Sequence, residues 1–447
     1  MAKPKKSTLP ADPLARVDTL FAQIYSHAKE TIGEQFVFGA KSAEVMVGLP
    51  FPSIALEYLL QTTCWPLSRL TTLVGKPASA KTVLGFEISR WHHNWGGGSL
   101  YADCEHKNAS HIRSGLFQHD QHLISRAATK ECYTLEQAQE AVFKTMASVI
   151  QVAAEHNRPN SIPCAFMIDS LMGNAPKAEF ESMEKNDGAA ERGYALSAQL
   201  IARWMRGVQN LIETNPFSIL VTNHLRESTD RMGNHVRVTP GGTSVPYFET
   251  LELELRRVRP LESQDATGLS IAIKVFKNCV GPAGRSIVAD VLWWYEDAVD
   301  PQTGELVLDE FGVPRKQQFF TWDWDTATVN MLKALQTEKA TLAKTIANDV
   351  VDLNFVGKAD RGKNARVWSD ALGIPEDDPQ LYREAGRLIQ NNPSMLSKLR
   401  YHLDILEMTQ FSQDQNYREA LREAQDRAKE RVEAEAPEAT QVSIDDE

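Results

Sequence analysis

The chain has 447 residues, of which 42% are hydrophobic and 24% charged, and this composition excludes collagen-like, coiled-coil and wholly disordered proteins. The formal net charge is −11, from 48 Lys and Arg against 59 Asp and Glu, so any nucleic-acid binding would need a local basic surface. No apolar run approaches the ~18 residues of a membrane helix, and the start lacks the apolar core of a signal peptide, which predicts a cytoplasmic protein without a membrane partner.

The first segment, residues 12–39, has the periodicity of an amphipathic helix, because Leu14, Val17, Phe21 and Ile24 recur at spacings of three or four residues. An amphipathic helix needs an apolar surface to cover its own apolar face. We therefore expect residues 1–46 to form an N-terminal helical element that needs a partner surface.

Short apolar runs then alternate with longer helical stretches, which predicts an α/β fold. The first four runs are almost continuously apolar and are separated by helical segments such as 135–156 and 194–214, as is typical of strands buried in a parallel sheet. The later runs alternate apolar and polar residues, which favours antiparallel edge strands and so a mixed, mostly parallel sheet. The predicted strands are Leu70–Val74, Ser99–Asp103, Pro163–Asp169, Phe217–Thr222, Leu251–Leu255, Leu269–Val275 and Ile287–Leu292.

Turn-forming residues at 300–304 and 310–314 predict a hairpin after the main sheet, and the chain becomes helical beyond it, over 331–353 and 379–408. The last fifteen residues are acidic and contain no aromatic residue, which predicts a solvated tail. The predicted domains are an N-terminal element at 1–46, an α/β core at 47–326, a small C-terminal helical domain at 327–430 and an acidic tail at 431–447.

The sharpest motif is a strand that runs through a loop into a helix, with the sequence LVGKPASAKT over residues 73–82. It matches a phosphate-binding loop at Gly75, Lys81 and Thr82, but Ala80 occupies the position of the second glycine. In such a loop the backbone N–H groups surround a phosphate, the lysine reaches its oxygens and the hydroxyl binds Mg²⁺. A functional tight loop and a weakened nucleotide site are both compatible with Ala80.

Two acidic residues follow the ends of other predicted strands. Asp169 ends a hydrophobic strand and suits a carboxylate that holds Mg²⁺, and Glu105 follows the strand before it and suits a base that activates water. Parallel strands bring such residues to one edge of the sheet, beside the phosphate loop.

The order of the motifs GKPASAKT, LYADCEH, FMIDS, ILVTNHLR, TPGGTSV and IKVFKN resembles RecA-type homologous recombinases over residues 47–294, with a divergence more typical of bacteriophage members than of cellular ones. The resemblance implies a RecA-like P-loop ATPase core, an N-terminal helical oligomerisation element and a small C-terminal helical domain. It also implies ATP and Mg²⁺ as cofactors, helical filaments of many subunits on single-stranded DNA, and pairing and strand exchange with duplex DNA. The location would be the cytoplasm, that of the host if the chain comes from a phage.

Carried over to this sequence, the resemblance makes Glu105 the catalytic base and Lys81 a catalytic cation, and assigns Thr82 and Asp169 to the metal. Asn223 and His224 would sense the terminal phosphate and couple it to DNA, with His224 standing where the family usually has Gln. Lys277 would contact the nucleotide of a neighbouring subunit, whereas Cys279 replaces a second lysine. The implied nucleotide-binding residues are Gly75, Lys76, Pro77, Ala78, Ser79, Ala80, Lys81, Thr82, Asp169, His224 and Lys277.

Two segments would contact DNA, at 173–193 and 226–243. Arginines suit phosphates, apolar side chains can wedge between bases, and paired glycines let the backbone approach the strand. The first segment is rich in acidic residues, so the second is the better candidate. The implied DNA-binding residues are Arg192, Arg226, Arg231, Met232, Arg237, Gly241 and Gly242.

Two alternatives stay open. A hexameric DNA helicase would share the phosphate loop and Asp169, although Glu105 and the Gly241–Gly242 pair argue against it. A single-strand-binding recombination mediator with weak nucleotide turnover would fit the departures at Ala80, His224 and Cys279.

Overall fold

A mixed β-sheet positions those motif residues that the structure describes. The computed structural model describes residues 47–105, 123–126, 134–156, 160–184, 190–229, 235–238, 244–262, 267–299, 303–338, 374–375, 378 and 380–411. The N-terminal element at 1–46 and the acidic tail at 431–447 lie outside these residues. The strands are β1 Val47–Pro50, β2 Cys64–Pro66, β3 Arg69–Gly75, β4 Gly98–Asp103, β5 Leu123–Arg126, β6 Cys164–Asp169, β7 Phe217–His224, β8 Arg226–Thr229, β9 His235–Val238, β10 Leu251–Glu262, β11 Thr267–Asn278, β12 Ser286–Asp297, β13 Lys316–Asp323 and β14 Thr409–Gln410.

The helices of the described residues surround this sheet, and none of them combines the length and the apolar character needed to cross a bilayer. The helices are α1 Ile54–Leu60, α2 Lys81–Asn94, α3 Leu135–Glu155, α4 Lys177–Glu184, α5 Ala190–Ile212, α6 Ser244–Phe248, α7 Trp324–Glu338, α8 Leu381–Gln390 and α9 Pro393–His402.

The strand order of the main sheet is β13-β12-β11-β10-β3-β7-β6-β4-β5. The strands from β10 to β5 are parallel, whereas β11, β12 and β13 continue the sheet antiparallel from β10. The prediction of a mixed, mostly parallel α/β sheet is therefore confirmed. Because β3, β7, β6 and β4 run in the same direction, their carboxyl ends meet at one edge.

The two faces of the sheet are covered differently. On one face α3 and α5 pack apolar side chains such as Met146 and Trp204 against Phe166 and Phe217, whose rings lie 5.1 Å apart. On α2 the buried carboxylate of Glu87 accepts hydrogen bonds from two tryptophan indoles and from Arg90. One of those indoles belongs to Trp324 at the start of α7, so a polar contact fixes α7 to α2.

The C-terminal segment differs from the sequence prediction in two places. The predicted helix at 379–408 is interrupted, because α8 ends at Gln390 and α9 begins at Pro393. The Asn392 side chain accepts the backbone N–H of Met395 at 3.1 Å and caps α9, and Pro393 favours a first helical turn over a helix interior. The separate hairpin predicted after the main sheet is not formed, because β13 pairs antiparallel with β12 and becomes the edge strand of the main sheet.

A partly buried ion pair connects the two ends of the described chain. Arg400 on α9 donates two hydrogen bonds of 2.7 Å to the Glu57 carboxylate on α1, and the short strand β14 pairs with β1. Glu57 is only 3% exposed, and burial raises its pKa, although Arg400 opposes the shift. The pair therefore compensates a carboxylate that burial would otherwise destabilise.

Replacing Arg400 should show how much the stability of the fold depends on this ion pair. We expect Arg400→Met to lower the free energy of unfolding at pH 7.5 by about 3 kcal/mol, because it leaves Glu57 buried without its partner. The pKa of Glu57 in the folded state then lies further above its unfolded value, so the variant should regain stability as the pH falls towards 5. Urea unfolding at the two pH values measures both effects, and Glu57→Gln/Arg400→Met is the matched control without the titrating group. A single variant as stable as the parent at pH 7.5 would contradict this account.

Candidate functional site

The loop between β3 and α2 has a backbone that glycine would adopt easily. Ala80, directly before α2, has φ = 62°, and Ala78 has φ = 58°. These left-handed conformations explain why the usual motif has a glycine where this chain has Ala80. At Gly75, by contrast, a Cβ atom would clash with the carbonyl oxygen of Leu255 and with the Ser79 hydroxyl, so no larger residue fits there.

The polar groups of this loop are suited to an anion. The ammonium group of Lys81 is almost buried and donates to the carbonyl oxygens of Gly75 and Lys76 at 3.0 and 3.1 Å. The buried Ser79 hydroxyl has no hydrogen-bond partner among the described residues. A phosphate at the N-terminus of α2 would accept hydrogen bonds from these donors, so the residues present fit a nucleotide phosphate.

Asp169, at the end of β6, is held by hydroxyl groups from three other elements. Thr82 on α2 donates to its Oδ2 at 2.7 Å, Thr222 on β7 to its Oδ1 at 2.5 Å, and Tyr101 on β4 to its Oδ2 at 3.3 Å. Burial raises the pKa of Asp169, and the hydrogen bonds from Thr222 and Thr82 oppose that shift.

The oxygens of Thr82 and Asp169 also fit a magnesium ion. Mg²⁺ in nucleotide sites is commonly held by one or two protein oxygens, with phosphates and water completing the shell. Within the described ranges, no group of three or more His, Cys, Asp and Glu side chains suits a metal ion.

Glu105 lies just beyond β4 and contacts the end of β7. Its Oε1 is 2.9 Å from the His224 Nε2 atom, and its backbone N–H donates to the Asp103 side chain at 3.2 Å. The N–H of Cys104 donates to the Asp169 carbonyl at 2.7 Å, so the end of β4 is tied to the end of β6. Glu105 is thus a carboxylate in a fixed position that can accept a proton from a bound water molecule.

Comparison with known proteins identifies the family. The family model described as the RecA N-terminal domain matches residues 26–298, which is more than half of the chain. The chain belongs to the RecA family.

Several curated RecA proteins are similar to this chain at low identity. Protein RecA of Oceanobacillus iheyensis is 25% identical over 263 residues, which cover 58% of this chain and 70% of the relative. Protein RecA of Symbiobacterium thermophilum is 26% identical over 247 residues, or 55% and 64% of the two chains. Protein RecA of Bifidobacterium breve is 24% identical over 369 residues, which cover 81% of this chain and 88% of the relative. The fold predicted from the motifs, a RecA-like α/β core, is confirmed.

The residues predicted from the RecA motifs divide into two groups. Lys81, Thr82, Asp169, Glu105 and His224 meet at the carboxyl edge of the sheet, where the Asn223 side chain also accepts the backbone N–H of His224. The rest of the predicted nucleotide loop surrounds Lys81, with Lys76, Pro77 and Ala78 exposed.

Lys277 is separate from this cluster. It lies on β11, where its Nζ donates to the carbonyl oxygens of Pro246 and Glu249 at the end of α6. The exposed Cys279 follows the end of this strand. A role for Lys277 at the nucleotide of a neighbouring subunit stays a prediction.

The two predicted DNA segments contain regular structure. In the first, α4 spans Lys177–Glu184 and Arg192 lies within α5. Helix formers fill α4, and Lys177 and Glu181 approach to 3.7 Å one turn apart, so this part is not an open loop. In the second, Arg226 lies on β8 and Arg237 on β9, which pair as a two-stranded ribbon. The remaining predicted residues, Arg231, Met232, Gly241 and Gly242, lie outside the described residues.

Sequence reasoning missed Thr222 and Tyr101, which contact Asp169 at the site, and Glu249, which lies beside Lys277 and away from the site. Thr222 precedes Asn223 by one position, and strand alternation puts it on the same face as His224, so a local signal was present. Glu249 had no such local signal, because it is brought close to Lys277 only by the pairing of β10 with β11. It is almost fully buried, and its Oε1 has no hydrogen-bond partner in the described part of the chain.

The loop backbone makes a prediction about Ala80. A left-handed conformation costs a non-glycine residue roughly 1–2 kcal/mol, so Ala80→Gly should leave the free energy of unfolding unchanged or raise it by up to about 1 kcal/mol. The matched control Ala147→Gly, at an exposed position inside α3, should lower it by about 1 kcal/mol. Urea unfolding compares the two, and equal losses would show that Ala80 is not strained.

The buried Glu249 predicts a pH effect. Burial raises its pKa to about 7, nearby Glu252 adds to the shift and Lys277 opposes it. A raised pKa in the folded state means that stability is lost as the pH rises from the ordinary pKa of 4.5 to about 7. Glu249→Gln should therefore be more stable than the parent at pH 8, by about 2 kcal/mol, and the difference should shrink towards pH 5. Thermal unfolding across this range tests it, with the exposed Glu305→Gln as control, and a constant difference would refute it.

Proposed function

We propose that this protein is an ATP-dependent DNA recombinase that forms helical filaments on single-stranded DNA and promotes homologous pairing and strand exchange with duplex DNA. The observation that supports this most is the meeting of Lys81, Thr82, Asp169, Glu105 and His224 at one sheet edge in a chain of the RecA family. ATP and Mg²⁺ are the proposed cofactors, further copies of the chain and DNA the partners, and the cytoplasm the location.

The phosphate loop would bind the nucleotide. The backbone from Gly75 to Lys81 and the N-terminus of α2 supply donors, and the Lys81 ammonium would exchange its two loop carbonyls for phosphate oxygens. Thr82 and Asp169 would hold Mg²⁺, which when bound neutralises charge on the phosphates.

Glu105 would accept the proton of the attacking water. His224 restrains its carboxylate through the 2.9 Å contact, so the base is held before the substrate arrives. A rigid base loses less orientational freedom in the transition state than a mobile one.

The segment from Arg226 to Thr243 would contact the DNA backbone. It follows β7 directly, so the strand that ends in Asn223 and His224 continues into the DNA segment after a single intervening residue, Leu225. This continuity supports a route by which nucleotide state reaches DNA binding.

The decisive experiment is electron microscopy of the purified protein with single-stranded DNA and a slowly hydrolysed ATP analogue, together with DNA-stimulated ATP hydrolysis. We expect helical filaments that require the nucleotide, and Lys81→Ala should lower hydrolysis by about 100-fold or more, because it removes a charge that stabilises the transition state. Lys144→Ala, an exposed lysine on α3 paired with Glu140, should behave as the parent.

Other outcomes would overturn the proposal. Closed rings would indicate a hexameric helicase of the same core. Nucleotide-independent coating of DNA, with no hydrolysis sensitive to Lys81, would indicate a mediator that binds single strands.

A further inference from the structure

The end of β7 holds two carboxylates at once. Side chains two positions apart on a strand point to the same face, and Thr222 and His224 are such a pair. Thr222 Oγ1 donates to Asp169 Oδ1 at 2.5 Å, and His224 Nε2 lies 2.9 Å from Glu105 Oε1. The two carboxylates come from different strand ends, so β7 is the element that they share.

The backbone of β7 is fixed on both sides. Towards the phosphate loop, His224 pairs with Gly75, and the N–H of Leu225 donates to the Gly75 carbonyl at 3.3 Å. Towards β6, the N–H of Leu171 donates to the Thr222 carbonyl at 3.1 Å. A shift of this strand end would therefore move both side chains together.

The two carboxylates also repel each other. The charge of Glu105 disfavours ionisation of Asp169, as does that of Asp103. Hydrogen bonds to each ionised carboxylate favour its charged form and so offset this repulsion. Neither Thr222 nor His224 needs to touch the substrate for this purpose.

We propose that Thr222 and His224 act as one positioning unit that sets the separation between the metal-holding carboxylate of Asp169 and the proton-accepting carboxylate of Glu105. The proposal rests on the function proposed above, because it concerns the same site. By occupying Oδ1 of Asp169, Thr222 leaves Oδ2 directed to Thr82 and the Mg²⁺ position. His224, on the same face of β7 as Thr222, holds the carboxylate of Glu105, which is the proposed base.

A unit of this kind predicts coupled effects. Residues that support a metal site typically change metal affinity or activity about 10- to 100-fold when they are removed. If the two residues share one task, removing the second after the first should have little further effect. If they act independently, their effects should multiply.

The experiment compares Thr222→Val, His224→Leu and the double variant. The Mg²⁺ concentration at half-maximal hydrolysis and the turnover at saturating Mg²⁺ are measured, and calorimetry follows the binding of a slowly hydrolysed ATP analogue with and without Mg²⁺. We expect Thr222→Val to raise the Mg²⁺ midpoint about tenfold, and to leave binding of the analogue without Mg²⁺ unchanged. Each single variant and the double variant should lose turnover to a similar extent, about tenfold.

The controls separate positioning from folding. Thr222→Ser, which keeps the hydroxyl, should restore the Mg²⁺ midpoint to within about threefold. Thr328 is another buried threonine whose hydroxyl is hydrogen-bonded, and it lies within α7, away from the site. Thr328→Val should therefore leave the Mg²⁺ midpoint unchanged.

Two results would overturn the inference: a double variant whose loss equals the product of the single losses, or a Thr222→Val midpoint equal to that of the parent. A parent protein without DNA-stimulated hydrolysis would instead overturn the proposed function. The parent assay therefore distinguishes the two failures.

Discussion

The buried carboxylate of Asp169 is the point on which the site depends. It accepts hydrogen bonds from Thr82, Tyr101 and Thr222, and these residues come from α2, β4 and β7. An isolated buried carboxylate would be costly, and three hydroxyl donors offset that cost. The same contacts fix the phosphate-loop helix against the ends of two strands. The hydrogen bonds that stabilise the buried charge of Asp169 are thus the same ones that hold the site together.

The strand order makes this arrangement possible. Because β7 lies between β3 and β6, its last residues reach both the phosphate loop and Asp169. Glu105 follows β4, which is three strands away from β3 in the sheet, and it joins the site through His224. The antiparallel strands from β11 to β13 extend the opposite side of the sheet, and β11 carries Lys277 away from the other predicted residues.

Local signals in the sequence predicted the parts of the fold that depend on local chemistry. The phosphate loop and the buried strand ending in Asp169 have strong patterns of their own. The alternating run at 251–255 was wrongly predicted as an antiparallel edge strand, because β10 lies inside the sheet and pairs parallel with β3 and antiparallel with β11. The three hydroxyls around Asp169 could not be predicted as a set, because they are brought together only by strand order. The break at Asn392 was missed because helical periodicity continues across it, whereas the cap that starts α9 depends on a single side chain. Glu249 was missed because its low exposure results from packing against residues distant in sequence.

The contact between Glu57 and Arg400 has a consequence for synthesis of the chain. The two residues are 343 positions apart, and at translation rates of about 5 to 20 residues per second the arginine follows the glutamate by about 20 to 70 seconds. During that interval α1 has no cationic partner for its carboxylate, and β1 lacks the parallel neighbour that β14 provides. The contacts of α1 with Arg400 and of β1 with β14 can therefore form only after the C-terminal segment has been synthesised.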